Sequence, residues 1–207
     1  MRQTINVPPQ EDHNHMDILN ALRNTLKKPE NDKDDLQKLM PLIVPSTYFT
    51  EHQFPATYAL LPNPDFALTA VILGESQAML YLSEDRGKKW AKIGVNWKDR
   101  ALQNVRASGS GQAITHSKRT EDGRLLIAFM MQPDGLGTSR VYCSDKISKL
   151  CPQGYRIAIP ERSVGCVIPN DLTESEEAEA TDMVKQLFRI GTVPNSPKIF
   201  QPHELGA

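Results

Sequence analysis

The sequence predicts an α+β fold: a single domain built on a mixed or antiparallel sheet packed by helices, behind a flexible N-terminal arm. Three observations carry this. Apolar runs of strand length cluster mid-chain, at 57–61, 67–73 and 79–82. Two segments show apolar residues on one helical face: Trp97, Ala101, Leu102 and Val105, then Ala180, Met183, Val184, Leu187 and Phe188. Strands and helices do not alternate regularly, which disfavours a parallel α/β sheet. One sheet is expected to hold both 67–73 and 124–131, with the Trp97 and Met183/Leu187 helices packed on it.

The elements follow in order. Residues 1–15, with Pro8, Pro9, His13 and His15, read as the arm. Asp17 suits a helix N-cap, ahead of an apolar stripe of Ile18, Leu19, Leu22 and Leu26 that should stop before Pro29. A short helix is expected over 34–40, ending before Pro41. The turn residues Pro62-Asn63-Pro64-Asp65 and Gly74-Glu75-Ser76 separate the three mid-chain strands. Ser83 caps a helix that carries Trp90 into the core. Asn96 caps the next, with Asp99 in its first turn, and Ser108-Gly109-Ser110-Gly111 breaks it. Segments 113–120 and 124–131 form a hairpin around Glu121-Asp122-Gly123, where glycine tolerates positive φ. A helix is expected over 139–150, and strands over 155–159 and 164–168. The last helix opens on a Thr173/Glu176 capping box, with acidic residues at its start and Lys185 and Arg189 near its end. Gly191 suits its C′ position.

At 207 residues the chain suits one domain over 16–202, with a short tail at 203–207. Lys plus Arg number 24 and Asp plus Glu 25, so no basic excess points to nucleic acid. The longest apolar runs, such as 125–131, fall far short of the ~20 residues that cross a bilayer. Residues 1–9 lack the apolar centre of a signal peptide, so the expected location is the cytoplasm. Cys143, Cys151 and Cys166 fit no zinc spacing and read as reduced, buried thiols.

The segment 83–90 fits Ser-x-Asp-x-Gly-x-x-Trp, the turn found in sialidase-type propeller blades. A propeller needs at least four blades of about 40–50 residues, which this chain cannot hold beside its helices. The capped helix is therefore the preferred reading. The order of features resembles instead the YtpQ-like family of bacterial proteins, over roughly residues 35–202. The resemblance is carried by the strands at 67–73 and 79–82 and by Ala101-Leu102-Gln103-Asn104-Val105. It continues through Asp134-Gly135 with Ser139-Arg140, then Ala158-Ile159-Pro160-Glu161-Arg162, and ends in an acidic-start helix followed by Pro197-Lys198-Ile199-Phe200. Ser163 stands where that pattern leads one to expect Asp. The resemblance implies a cytoplasmic α+β domain and no particular activity.

Chemistry-bearing constellations are sparse. His116 and Ser117 are neighbours on an expected strand and point to opposite faces, so they make a poor nucleophile–base pair. Paired carboxylates such as Asp34-Asp35 and Glu176-Glu177 sit in polar surroundings rather than a cleft. No catalytic, cofactor-binding or metal-ligating set is expected. The candidate ligand or partner contacts are Asp134, Ser139 and Arg140, with Gly135 and Gly137 at a possible anion-binding turn, and Glu161 and Arg162. The leading expectation is a non-catalytic domain that contacts another protein. The alternatives are an enzyme or small-ligand or anion-binding protein with a pocket near 134–140 and 161–162, and an immunity-type protein that neutralises a toxin.

Overall fold

The computed structural model describes residues 32–51, 55–74, 78–108 and 114–207. Asp32 apart, they belong to one compact unit, Lys33–Ala207. The expected arm and the helix of Ile18 to Leu26 lie outside the described residues.

The fold is α+β, with antiparallel sheets packed by helices. The first sheet holds β1 (Leu39–Pro45), β2 (Tyr58–Leu60), β3 (Phe66–Leu73) and β4 (Met79–Tyr81). β3 lies between β1 on one side and β2 and β4 on the other. The second sheet runs in the order β5 (His116–Arg119), β6 (Leu125–Met131), β8 (Val164–Pro169), β7 (Tyr155–Glu161) and β9 (Ile199–Phe200). The expectation that 67–73 and 124–131 share one sheet is thus corrected. A strand has two edges, and both are taken: β3 by β1 and by β2/β4, β6 by β5 and β8. Periodicity finds strands but not their partners.

Each sheet carries its own helices. α1 (Asp32–Gln37) leads into β1, and α2 (Tyr48–Glu51) follows it. α3 (Glu84–Lys92) and α4 (Trp97–Ser108) clamp one face of the first sheet, where Trp90 and Ala101 pack with Leu39, Ala70, Ile72 and Leu82. α6 (Glu174–Ile190) sets Ala180 and Val184 against Ala158, Cys166 and Ile168 of the second sheet. The largest core joins Leu42, Val44 and Val71 of the first sheet to Met130, Ile157 and Val167 of the second. Caps agree with the sequence: the Ser83 hydroxyl accepts the Arg86 N–H at 3.3 Å, and Thr173 and Glu176 form their capping box. The 116–131 hairpin turns through Gly123 at φ 86°.

Three expectations fail locally. The helix over 34–40 ends at Gln37, and Leu39 opens β1. Pro41 sits inside that strand because its carbonyl accepts the Ser139 hydroxyl, on the side away from β3. In an antiparallel strand a residue's N and O point the same way, so the missing N–H falls on the open edge. The helix over 139–150 splits into a 3₁₀ helix, Gly137–Tyr142, and α5 (Ser144–Leu150), parted at Cys143 with φ −85° and ψ 48°. Gly191 is not left-handed, at φ −65° and ψ 139°. Glycine is needed there for space: a Cβ would come within 2.4 Å of Glu161 Cγ.

Candidate functional site

The sequence singled out two segments, and the structure brings them together. The Arg162 carbonyl accepts the Thr138 N–H at 3.3 Å and the Thr138 hydroxyl at 3.0 Å. Gly137 lies so close that a Cβ on it would sit 1.9 Å from the Ser163 carbonyl oxygen and 2.2 Å from that of Met130. On β8, a Cβ on Gly165 would meet the Gly137 carbonyl at 2.7 Å. Of the two glycines at the possible anion-binding turn, Gly137, together with Gly165, allows two backbones to touch.

The side chains of these segments serve packing. Ser139 is buried, and its hydroxyl donates to Pro41, tying the 3₁₀ helix to β1. Arg140 is 5 % exposed, and its Nη2 donates to Asp134 Oδ2 at 2.5 Å. Asp134 Oδ1 accepts the Leu136 N–H at 3.0 Å, so one carboxylate both forms the turn and neutralises the arginine. Nε and Nη1 of Arg140, and Nε of Arg162, are buried without an acceptor among the described residues. Glu161 is buried at the β7–β8 turn. It accepts the Ser163 N–H at 2.7 Å, the Ser163 hydroxyl, and the Thr192 hydroxyl at 3.5 Å. The Ser163 hydroxyl thus donates to Glu161, a role that an ionised Asp side chain could not take.

Two cavities lie elsewhere among the described residues. One of about 440 Å³ lies between α6 and β9, lined by Arg156, Glu177, Thr181 and Lys198 among others. Arg156 there is already paired with Glu177. Another of about 280 Å³ is lined by Arg106, Tyr142, Cys143 and Lys146 among others. Among the described residues, no three His, Cys, Asp or Glu side chains are grouped to hold a metal ion. All three cysteines are free and buried. Burial pushes Cys151 up to about 11, helped by the Asp171 carboxylate, and raises the Cys143 and Cys166 thiols too. These shifts disfavour the thiolate that a nucleophile or redox centre requires. His116 lies exposed on β5, as the sequence suggested.

Sequence reasoning passed over the edge of the first sheet. β2 pairs with β3 alone among the described strands. Two of its three side chains are exposed, Tyr58 at 44 % and Leu60 at 60 %. The Tyr58 ring stacks on Phe49 of α2, with centroids 4.4 Å apart and planes 4° apart. Tyr48 packs edge-on to Phe49 and stacks on Tyr81 of β4, whose hydroxyl lies 3.1 Å from its own. The signal was present in charge distribution rather than in net charge. No lysine or arginine occurs between Lys38 and Arg86.

No family model matches the chain, nor does any curated protein or solved structure. Among the described residues, no helix is long and apolar enough to cross a membrane.

Proposed function

We propose that the chain is a non-catalytic protein-interaction domain and that the β2 edge is its docking element. One observation carries the reading: an edge strand that exposes Tyr58 and Leu60 over a preorganised aromatic stack. Tyrosine supplies much contact area for little conformational entropy, and fixing its ring in advance lowers the cost of binding. The segments around Arg140 and Glu161 support the domain's rigidity rather than a reaction. Three unpaired, buried thiols suit a reducing compartment, which favours the cytoplasm. Membership of the YtpQ-like family belongs to the same proposal; the resemblance implies a cytoplasmic α+β domain and no particular activity.

An anion-binding protein is the second reading. Its specific support is the set of buried guanidinium nitrogens on Arg140 and Arg162 that lack an acceptor among the described residues. The first reading is tested by affinity capture from the native cell, comparing the full chain with a Tyr58→Ser/Leu60→Ser variant of unchanged melting temperature. A partner lost only with the variant is the expected result. Capture that ignores the two substitutions would remove the edge from the proposal.

A further inference from the structure

We infer that the β2 edge accepts an extended, basic segment of a partner protein as an added antiparallel strand. The inference rests on the interaction-domain reading and specifies its chemistry. It begins with the ladder. The Leu61 N–H donates to the Phe66 carbonyl at 3.0 Å, so Leu61 and Phe66 form a hydrogen-bonded pair. Such pairs recur every second residue of an antiparallel ladder, which makes Ala59 and Leu68 the next. Tyr58 and Leu60 therefore turn their N–H and C=O groups away from β3. An incoming strand meets four backbone groups on two residues. The side chains of those residues lie on one face of the sheet, which supplies specificity at alternate positions.

Charge selects the occupant. From Leu39 to Asp85 the chain carries Glu51, Asp65, Glu75, Glu84 and Asp85 and no lysine or arginine. Glu51 and Asp65 are both exposed near β2: Glu51 ends α2, two residues after the Phe49 that stacks on Tyr58, and Asp65 lies in the turn after β2. Arg162, whose charge reaches Tyr81, lies by β4, which pairs with the other half of β3. Edge strands are commonly guarded against pairing by lysine or proline, and Tyr58, Ala59 and Leu60 include neither. A second copy would bring the same acidic rim against itself. A basic strand with apolar residues at alternate positions meets opposite charge, Tyr58 and Leu60 together.

The probe is a labelled synthetic peptide alternating lysine with valine, titrated against the full chain by fluorescence anisotropy and amide NMR. Two control peptides replace every lysine by glutamate or methylate alternate backbone nitrogens. The expected result is saturable binding of the lysine peptide, shifts at the Tyr58 and Leu60 amides, and affinity weakened about tenfold or more by either control and by Leu60→Lys. No binding, equal binding of the methylated peptide, or indifference to Leu60→Lys would each overturn the inference. So would self-association abolished by Leu60→Lys, which would give the edge to a second copy. If cellular capture depends on Tyr58 and Leu60 but the peptide ignores the edge, the inference fails and the interaction reading stands. If capture ignores those residues as well, both fail.

Discussion

β2 and β5 are both edge strands of antiparallel sheets, yet they meet solvent differently. β5 is His116-Ser117-Lys118-Arg119, exposed throughout. Lys118 pairs with Glu179 of α6, Arg119 donates to the Gly123 carbonyl at 2.7 Å, and the register shifts between them. Charge and irregularity together discourage another strand from joining. At the far edge of the same sheet β9 is two residues long. The N–H groups on either side of it, of Lys198 and Gln201, donate to the Ser196 hydroxyl and the Glu204 carboxylate. β2 is also short, at three residues, but Tyr58, Ala59 and Leu60 carry no charge and pair with β3 without a register shift. The helices differ in the same sense. The first sheet's clamp is centred on the apolar cluster around Trp90, with an Arg86–Asp35 pair tying α3 to α1, whereas α6 is pinned to residues of its own sheet's hairpin and β7 by the Arg124–Glu176 and Arg156–Glu177 pairs. The second sheet spends its polar groups on itself, and the first leaves one edge uncommitted.

The joint between the sheets is where this comparison breaks most severely. Gly137→Ala would drive a methyl into the carbonyls of Ser163 and Met130, which are backbone and cannot swing aside. A loss of about 3 kcal/mol or more is expected, at the upper end for overpacking, read by urea denaturation. Both sheets should unfold together, because the 3₁₀ helix contacts β8 through Gly137 and β1 through Ser139. Wild-type stability in this variant would show that the sheets do not depend on the joint. Trp90→Ala comes next. Trp90 is 0 % exposed and fills the first sheet's clamp, so a cost of about 3–5 kcal/mol is expected. An unchanged melting temperature would contradict an apolar clamp. Thr173→Ala acts on the second sheet's helix and removes half of a capping box, for about 1 kcal/mol.

These residues also show how far the sequence could be read. Trp90, the two N-caps and the 116–131 hairpin were legible because each depends on residues within a few positions. The sequence offered 134–140 and 161–162 as a pocket only in the alternative, ligand-binding reading, and the structure brings the two segments into close backbone contact. Gly137 and Gly165 make that contact, and the sequence does not show that two glycines so far apart face each other. Pro41 misled for a related reason. Proline disfavours the continuation of a helix, which local sequence shows, but only the fold shows that its nitrogen lies on an open edge. The exposed Tyr58 was hidden because alternation marks a strand without saying which strand lacks a neighbour.

The smallest expected effect separates the two sheets by pH. Hydrogen bonds from the Thr173 backbone and side chain, with the Arg124 charge, hold the Glu176 carboxyl below its ordinary range. The Arg156 guanidinium does the same for Glu177, and the Thr120 hydroxyl and Arg124 hold Asp122 at about 2. Each folded value lies below the unfolded one. The stabilisation is therefore complete above the unfolded carboxylate range, about 4, and drains away as pH falls through the folded values. Asp122 is exposed and Glu176 and Glu177 are only half-buried, so solvent screening keeps the change in global stability small. It should appear locally. Amide exchange, corrected for its intrinsic pH dependence, is expected to quicken in the first turns of α6 between neutral pH and about pH 3, while α3 and α4, held on an apolar cluster, keep their protection. Equal loosening of all three helices would mean that the ion pairs do not distinguish the two sheets.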